Sequence, residues 1–227
     1  MIVAGIQRTS TIDFPGTLSC VLFTRGCDMD CFYCHNRDLI GPGDFLPTAE
    51  VDAFLEKRRG LLEGVVVSGG EPTLQPDLRE FLQKLRGMDY RIKLDTNGRD
   101  PSLVLSLLED MLLDYVAVDF KAPQEKYAAV CAAPGGYDSA LTLIRSLSER
   151  NAAFEARTTL YPGLTAGELL SLAGKLPLLP RYRLNFFRMP EHSRAKDQIT
   201  LARHTLTPAE IRAVEPELRR AQPNLIF

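Results

Sequence analysis

Short apolar runs alternate along the chain with segments of helical period, and this alternation restricts the fold more than any other feature. Residues 18–24 (LSCVLFT), 65–67, 90–94, 115–120, 153–160 and 183–187 read as strands, with 224–227 as a short terminal one. Residues 48–59, 75–86, 103–113, 138–150, 166–175 and 208–221 read as helices. Thr48 is placed to cap the first helix, and Pro76 to open the second. About six βα units with apolar strands predict a parallel sheet covered by helices. The expected fold is α/β, an incomplete (β/α)6 TIM-like barrel open on one side. A length of 227 residues, with no linker and no internal repeat, is read as one domain over 1–227. The Gly41-Pro42-Gly43 and Ala133-Pro134-Gly135-Gly136 segments read as loops within it.

The polar residues out of character with this pattern fall where strands end. Cysteines follow the first strand, Ser68-Gly69-Gly70-Glu71-Pro72 the second, and Asp95-Thr96-Asn97-Gly98 the third; Asp119 and Lys121 close the fourth. In barrels and open α/β sheets the C-terminal strand ends share a face, and ligands bind there.

Lys and Arg total 27 against 29 Asp and Glu, which argues against a polybasic nucleic-acid or membrane-surface binder. The first fourteen residues, MIVAGIQRTSTIDF, lack a basic start and a long apolar run, and nowhere is there an apolar stretch of about 20 residues. A cytoplasmic protein is expected, with no nucleic-acid and no membrane partner. In that compartment thiols stay reduced.

Five cysteines, three of them within eight residues, then point to metal or redox chemistry rather than to disulfides. Cys27, Cys31 and Cys34 stand four and three residues apart, and three thiolates at that spacing can hold three corners of a 4Fe–4S cube. No fourth cysteine lies near in sequence, so the fourth iron stays open to an amino-carboxylate, as in the methionine part of S-adenosylmethionine. Three rivals exist. Cys31-Phe32-Tyr33-Cys34-His35 also fits the c-type haem pattern, but haem attachment suits exported proteins and leaves Cys27 unused. A zinc site of three Cys and His35 is strained by the adjacency of Cys34 and His35. A redox dithiol would use only Cys31 and Cys34. Cys20, in an apolar strand, reads as a small buried hydrophobe. Cys131 lies in a loop-like stretch with nothing nearby to support a ligand role.

The other strand-end residues carry weaker signals. Gly69 and Gly70 let a backbone approach a ligand closely, and Glu71 adds an acceptor for an amine, although Gly-Gly is more often a plain turn. Asp95 and Asn97 can bind amines, cations or hydroxyls; on its own an Asn-Gly turn explains that segment better. Asp119 and Lys121 project to one side of their strand and suit ribose hydroxyls and a carboxylate, or else form a surface ion pair. Arg157, mid-strand, either lines the interior or is solvated outside.

The C-x3-C-x-Y-C motif followed by Gly-Gly-Glu-Pro resembles the radical S-adenosylmethionine superfamily. Residues 12–16 (IDFPG) and 23–38 (FTRGCDMDCFYCHNRD) make the chain similar to the glycyl-radical-enzyme activases within it. The short IDFPG form looks most like the activating proteins of anaerobic ribonucleoside-triphosphate reductase, with pyruvate formate-lyase activating enzyme close behind.

The resemblance implies one 4Fe–4S cluster on Cys27, Cys31 and Cys34, S-adenosylmethionine as cosubstrate, and its reductive cleavage to a 5′-deoxyadenosyl radical. That radical would take a hydrogen from a glycine of a glycyl radical enzyme, with a flavodoxin or ferredoxin-type electron donor. It further implies Tyr33 against adenine with His35 near, and Gly69, Gly70 and Glu71 on the methionyl amine. Asp119 and Lys121 would sit on ribose and carboxylate, Arg157 would line the pocket, and Asp95 would hold the amine or a monovalent cation. A histidine that the formate-lyase activases carry after their last barrel strand is displaced here to His192, and its role is not carried over. The competing reading is a radical enzyme acting on a small molecule of the deazaguanine- or pterin-forming type.

Overall fold

The computed structural model describes all 227 residues. Its contacts divide the chain into two compact units. The first comprises residues 1–28, 38–96 and 102–117, the second 29–37, 97–101 and 118–227.

In the first unit β1 (Val3–Ser10) runs antiparallel to β2 (Ser19–Thr24), and β2, β3 (Gly64–Gly69) and β4 (Arg91–Thr96) are parallel. Val65, Val66 and Val67 have no exposed surface, as expected of a strand covered on both faces. Helices α1 (Thr48–Arg58), α2 (Leu78–Gly87) and α3 (Pro101–Glu109) follow the strands. In α2, Leu78, Leu82 and Leu85 recur at helical spacing and are all buried, each contributing about 1.5–3 kcal/mol. The IDFPG block proves to be a structural plug. Phe14 is fully buried with Val21 and Val66, and the Arg91 guanidinium lies 5.0 Å from its ring centroid. The Asp13 carboxylate accepts from Ser10 Oγ at 2.5 Å, and Thr17 N donates to the Phe14 carbonyl at 3.1 Å, closing the turn through Pro15 and Gly16.

β5 (Tyr115–Asp119) divides between the units, its last two residues falling in the second. The second unit holds the parallel strands β6 (Phe154–Leu160), β7 (Tyr182–Phe186) and β8 (Leu225–Ile226). Its helices are α4 (Gln124–Cys131), α5 (Gly136–Glu149), α6 (Ala166–Lys175), α7 (Gln198–Leu201) and α8 (Pro208–Ala221). Helix α6 starts with a capping box, Thr165 with Glu168, and α8 with Thr207 and Glu210. Buried Gln222 ties the end of the chain down: its side chain accepts from Leu179 N at 3.1 Å and donates to the carbonyls of Ala173 and Pro177 at 3.0 Å.

The strands stand in chain order, β1 to β8, and the fold is α/β with a parallel-strand sheet that is not closed into a barrel. No helix is long and apolar enough to cross a membrane. Three local expectations need correction. Thr48 is the first helical residue of α1 rather than its cap, with Pro47 in the cap position. Pro76 precedes α2, whose cap is Asp77, because residues 72–74 form a short 3-10 turn first. Cys131 is not in a loop; it ends α4, a helix absent from the sequence reading.

Candidate functional site

In the first unit the loop leaving β2 and the segment leaving β3 pack backbone on backbone. Gly70 N donates to the Thr24 carbonyl at 2.9 Å and Glu71 N to the Gly26 carbonyl at 2.7 Å. A Cβ on Gly70 would lie 2.0 Å from Gly26 O, and one on Gly69, whose φ is +115°, 2.3 Å from Thr24 N. The two glycines are therefore required by the close approach of this segment to the residues that lead directly into half-buried Cys27.

Glu71 is buried, and its Oε1 accepts from Thr73 Oγ1 at 2.7 Å, Thr73 N at 3.2 Å and Thr96 Oγ1 at 2.8 Å. The carboxylate joins the end of β3 to the end of β4. Asp95 accepts from Lys93 Nζ at 2.8 Å and from Ser68 Oγ at 3.0 Å, and that lysine is itself buried.

In the second unit the part of the cysteine loop from Asp30 to Cys34 is pinned from several sides. Asp30 N donates to the Cys131 carbonyl at 2.9 Å and Phe32 N to the Val130 carbonyl at 3.2 Å, while Cys34 N closes a turn onto the Cys31 carbonyl at 3.0 Å. Arg37 pairs with Asp30 at 2.6 Å and also donates to the Cys31 carbonyl. Arg194 bridges Asp30 and Asp197, so the segment after β7 is tied to this loop by charge. His35 and His192 are both exposed.

Cys31 is buried, and the Cys131 thiol as hydrogen-bond donor brings its thiol down to about 7 against the opposing effect of burial, with Lys121 lowering it further. The Cys131 thiol is correspondingly pushed up. Burial raises Cys34, and raises Cys20 to about 12, in keeping with an inert core thiol.

Tyr33 stacks on Tyr161 with centroids 5.2 Å apart and planes 9° apart, and Phe32 meets both rings edge-on. Asp119 accepts from Lys121 Nζ at 2.8 Å and from Arg157 Nε at 2.9 Å. Burial alone would raise its carboxyl, but Arg157 and Lys121 hold it well below the usual carboxylate range. Burial would likewise lower Lys121, yet Asp119 keeps it protonated. Arg157 thus faces the other two, not bulk solvent. Asn97 and Gly98 form the plain turn: Asn97 Oδ1 accepts from Arg99 N at 3.0 Å, and Gly98, at φ +76°, packs against Ala140.

Sequence reasoning missed Tyr161, Asp30, Arg194 and the contact of Cys131. Only Tyr161, directly after a strand, carried a positional signal. Cys27, Cys31 and Cys34 lie close together in sequence and thiols are the donors that iron–sulfur clusters take, but the structure does not gather any three Cys, His, Asp or Glu side chains at metal-binding spacing.

The profile of the Radical SAM superfamily matches residues 21–176, and the chain belongs to that superfamily. It is 36% identical over 166 residues to a Methanocaldococcus jannaschii protein assigned by name to the glycyl-radical enzyme activating enzymes, covering 71% of this chain and 69% of the relative. Within the superfamily it belongs with those activating enzymes. It is also 28% identical over 180 residues to the pyruvate formate-lyase-activating enzyme of Staphylococcus epidermidis, covering 71% of this chain and 68% of that one.

Among solved structures, Streptococcus suis SuiB bound to its precursor peptide SuiA superposes with a TM-score of 0.65 at 16% identity, over 90% of this chain and 47% of that one. TYW1 with a lysine-pyruvate adduct gives 0.60 at 16%, over 89% and 73%. At such identities the likeness shows the fold. The family implies an enzyme that uses S-adenosylmethionine and a 4Fe–4S cluster, with a glycyl radical enzyme as partner.

Proposed function

We propose that the chain, as one catalytic domain over 1–227, activates anaerobic ribonucleoside-triphosphate reductase by generating a glycyl radical on it. The observation that carries the activase reading is the 36% identity to an activating enzyme over 166 residues; the IDFPG block favours the reductase as target. When bound, the cluster and S-adenosylmethionine supply reductive cleavage of the sulfonium and hydrogen abstraction from a partner glycine.

The chain's residues bind and orient. Cys27, Cys31 and Cys34 hold the cluster. The backbone at Gly69, Gly70 and Glu71 takes the methionyl amine, since the Glu71 side chain is already engaged by Thr73 and Thr96. Lys121 takes the methionyl carboxylate and Asp119 the ribose, with Arg157 fixing the Asp119 carboxylate. Tyr33, backed by Tyr161, meets the adenine, and exposed His35 lies beside it in sequence. Asp95 serves the amine or a monovalent cation. A flavodoxin or ferredoxin-type protein donates the electron, and the compartment is the cytoplasm.

A Pyrococcus horikoshii protein named as a GTP 3′,8-cyclase is 26% identical over 113 residues, covering 49% of this chain and 36% of that one, and it motivates the small-molecule alternative. The two separate by partner dependence. Anaerobic, reduced protein should form 5′-deoxyadenosine stoichiometrically with added reductase and stop when the reductase glycine becomes Ala. Continued turnover driven by GTP or another small molecule, with no effect of the reductase, would leave only the superfamily assignment.

A further inference from the structure

Lys93 is a charged residue in the middle of a buried strand, and the proposed chemistry gives it no part. It is 1% exposed. A buried ammonium is costly unless it is paired, and the first unit supplies the pairing along one face of β4. Arg91, Lys93 and Asp95 alternate along that strand and project to the same side. The Arg91 guanidinium lies 5.0 Å from the Phe14 ring centroid, the Phe14 and Tyr115 centroids are 6.1 Å apart, and Lys93 Nζ lies 5.9 Å from the Tyr115 centroid. Away from the ring, Lys93 Nζ donates to Asp95 Oδ1 at 2.8 Å, and Ser68 Oγ donates to Asp95 Oδ2 at 3.0 Å. The buried plug at Phe14 and the strand-end carboxylate are thus joined through Tyr115 and one lysine.

A strand-end carboxylate can take an amine, a cation or a hydroxyl. At Asp95 the chain itself provides an ammonium on one oxygen and a hydroxyl on the other. We propose that Lys93 is the built-in counter-cation of Asp95, holding the position against Oδ1 that an added monovalent cation would need. A metal ion brought to that oxygen would meet the ammonium at contact distance, and like charges repel strongly where water is excluded. It could displace the ammonium only by leaving a lysine charge buried and unpaired. A methionyl amine that ligates iron is uncharged and escapes that repulsion. Of the two ligands proposed for Asp95, the amine and the cation, the amine therefore remains, met by a carboxylate that Lys93 and Ser68 orient. That choice of ligand rests on the proposed cofactor role of Asp95; the counter-cation role of Lys93 does not. Lys93 is a positioning residue, acting through Asp95.

The test reads cation specificity in the full-length chain. Thermal midpoints are measured without oxygen in tetramethylammonium chloride, whose cation is too bulky to reach a buried carboxylate oxygen, and again with sodium, potassium or methylammonium chloride at equal ionic strength. Wild type should show no saturable change in any salt. Lys93→Ala should melt lower in tetramethylammonium and regain part of the loss, saturably, with potassium or methylammonium. Lys93→Ala/Asp95→Asn should melt higher than Lys93→Ala and lose that rescue. A wild-type midpoint that rises saturably with sodium or potassium would overturn the proposal, as would a Lys93→Ala chain that melts like wild type or ignores every cation. If Lys93→Ala does not fold, Lys93→Met, which keeps the bulk and drops the charge, should melt below wild type, with Asp95→Asn restoring it; a Lys93→Met chain as stable as wild type would equally overturn the proposal. Calorimetry of S-adenosylmethionine on cluster-loaded Asp95→Asn separates the cofactor role, and affinity should fall by roughly one decade or more. Unchanged affinity there, with the salt results as expected, would sustain the counter-cation and remove Asp95 from the cofactor site.

Discussion

Lys121 and Asp119 stand two apart at a strand end, a spacing that by itself suits a surface ion pair as well as a cofactor site. Arg157 on the other carboxylate oxygen favours the second, since it fixes the Asp119 carboxylate from a second strand and leaves Lys121 beside it at the strand end. Replacing Lys121 by Ala should weaken S-adenosylmethionine binding by about 1.5–3 kcal/mol, roughly one to two decades, with the iron content unchanged. Calorimetry showing full affinity in that variant would place the pair outside the cofactor site.

The same carboxylate makes a pH prediction for the metal-free protein. Asp119 is depressed in the fold, so its contribution to stability is complete above the unfolded value of about 3.9 and is lost as the pH falls through the native one. The stability gap between wild type and Asp119→Asn, measured by denaturant titration, should be constant near neutrality and shrink below about pH 4. A gap that widens on acidification would contradict the assignment. The ligand role proposed for Cys27, Cys31 and Cys34 can be read from sequence because ligand spacing is local. The contacts of Cys131, Tyr161 and Arg194 cannot, because they depend on which distant backbone lies alongside.

At the scale of elements, apolar strands followed by amphipathic helices revealed themselves by period, and α2 and β3 stand close to where the pattern puts them. β1 escaped because VAGIQRTS mixes Gly and polar residues, and its inner part is only partly buried as an antiparallel strand. α4 escaped because its eight residues carry no sustained apolar stripe and the Ala133-Pro134-Gly135 turn follows at once. The glycines at the end of β3 illustrate how an element can carry a site. Their need is steric, set by Gly26 O and Thr24 N, and it fixes the start of the cysteine loop. Gly70→Ala should retain the fold of the helices but lose iron on gel filtration after reconstitution, whereas Gly87→Ala, with open space around its Cβ, should retain it. Equal iron in both would show that the close approach does not matter to the loop. In the core, Leu82→Ala should cost about 2–5 kcal/mol by denaturant unfolding, the usual range for a fully buried leucine. A loss under about 1 kcal/mol would mean that α2 packs less tightly than its burial indicates.

For the molecule as a whole, the α/β class follows from pattern while the strand order is given by the structure, and membership of the activating enzymes rests on kinship. The central claim is that this chain places a radical on another protein. The most direct measurement is electron paramagnetic resonance of reduced, cluster-loaded protein mixed with S-adenosylmethionine and anaerobic ribonucleotide reductase. A glycyl-type doublet should appear, should vanish when the target glycine is replaced by Ala, and should be absent with Cys27→Ala, Cys31→Ala or Cys34→Ala. A reductase that remains radical-free while the same mixture consumes S-adenosylmethionine on a small molecule would contradict it.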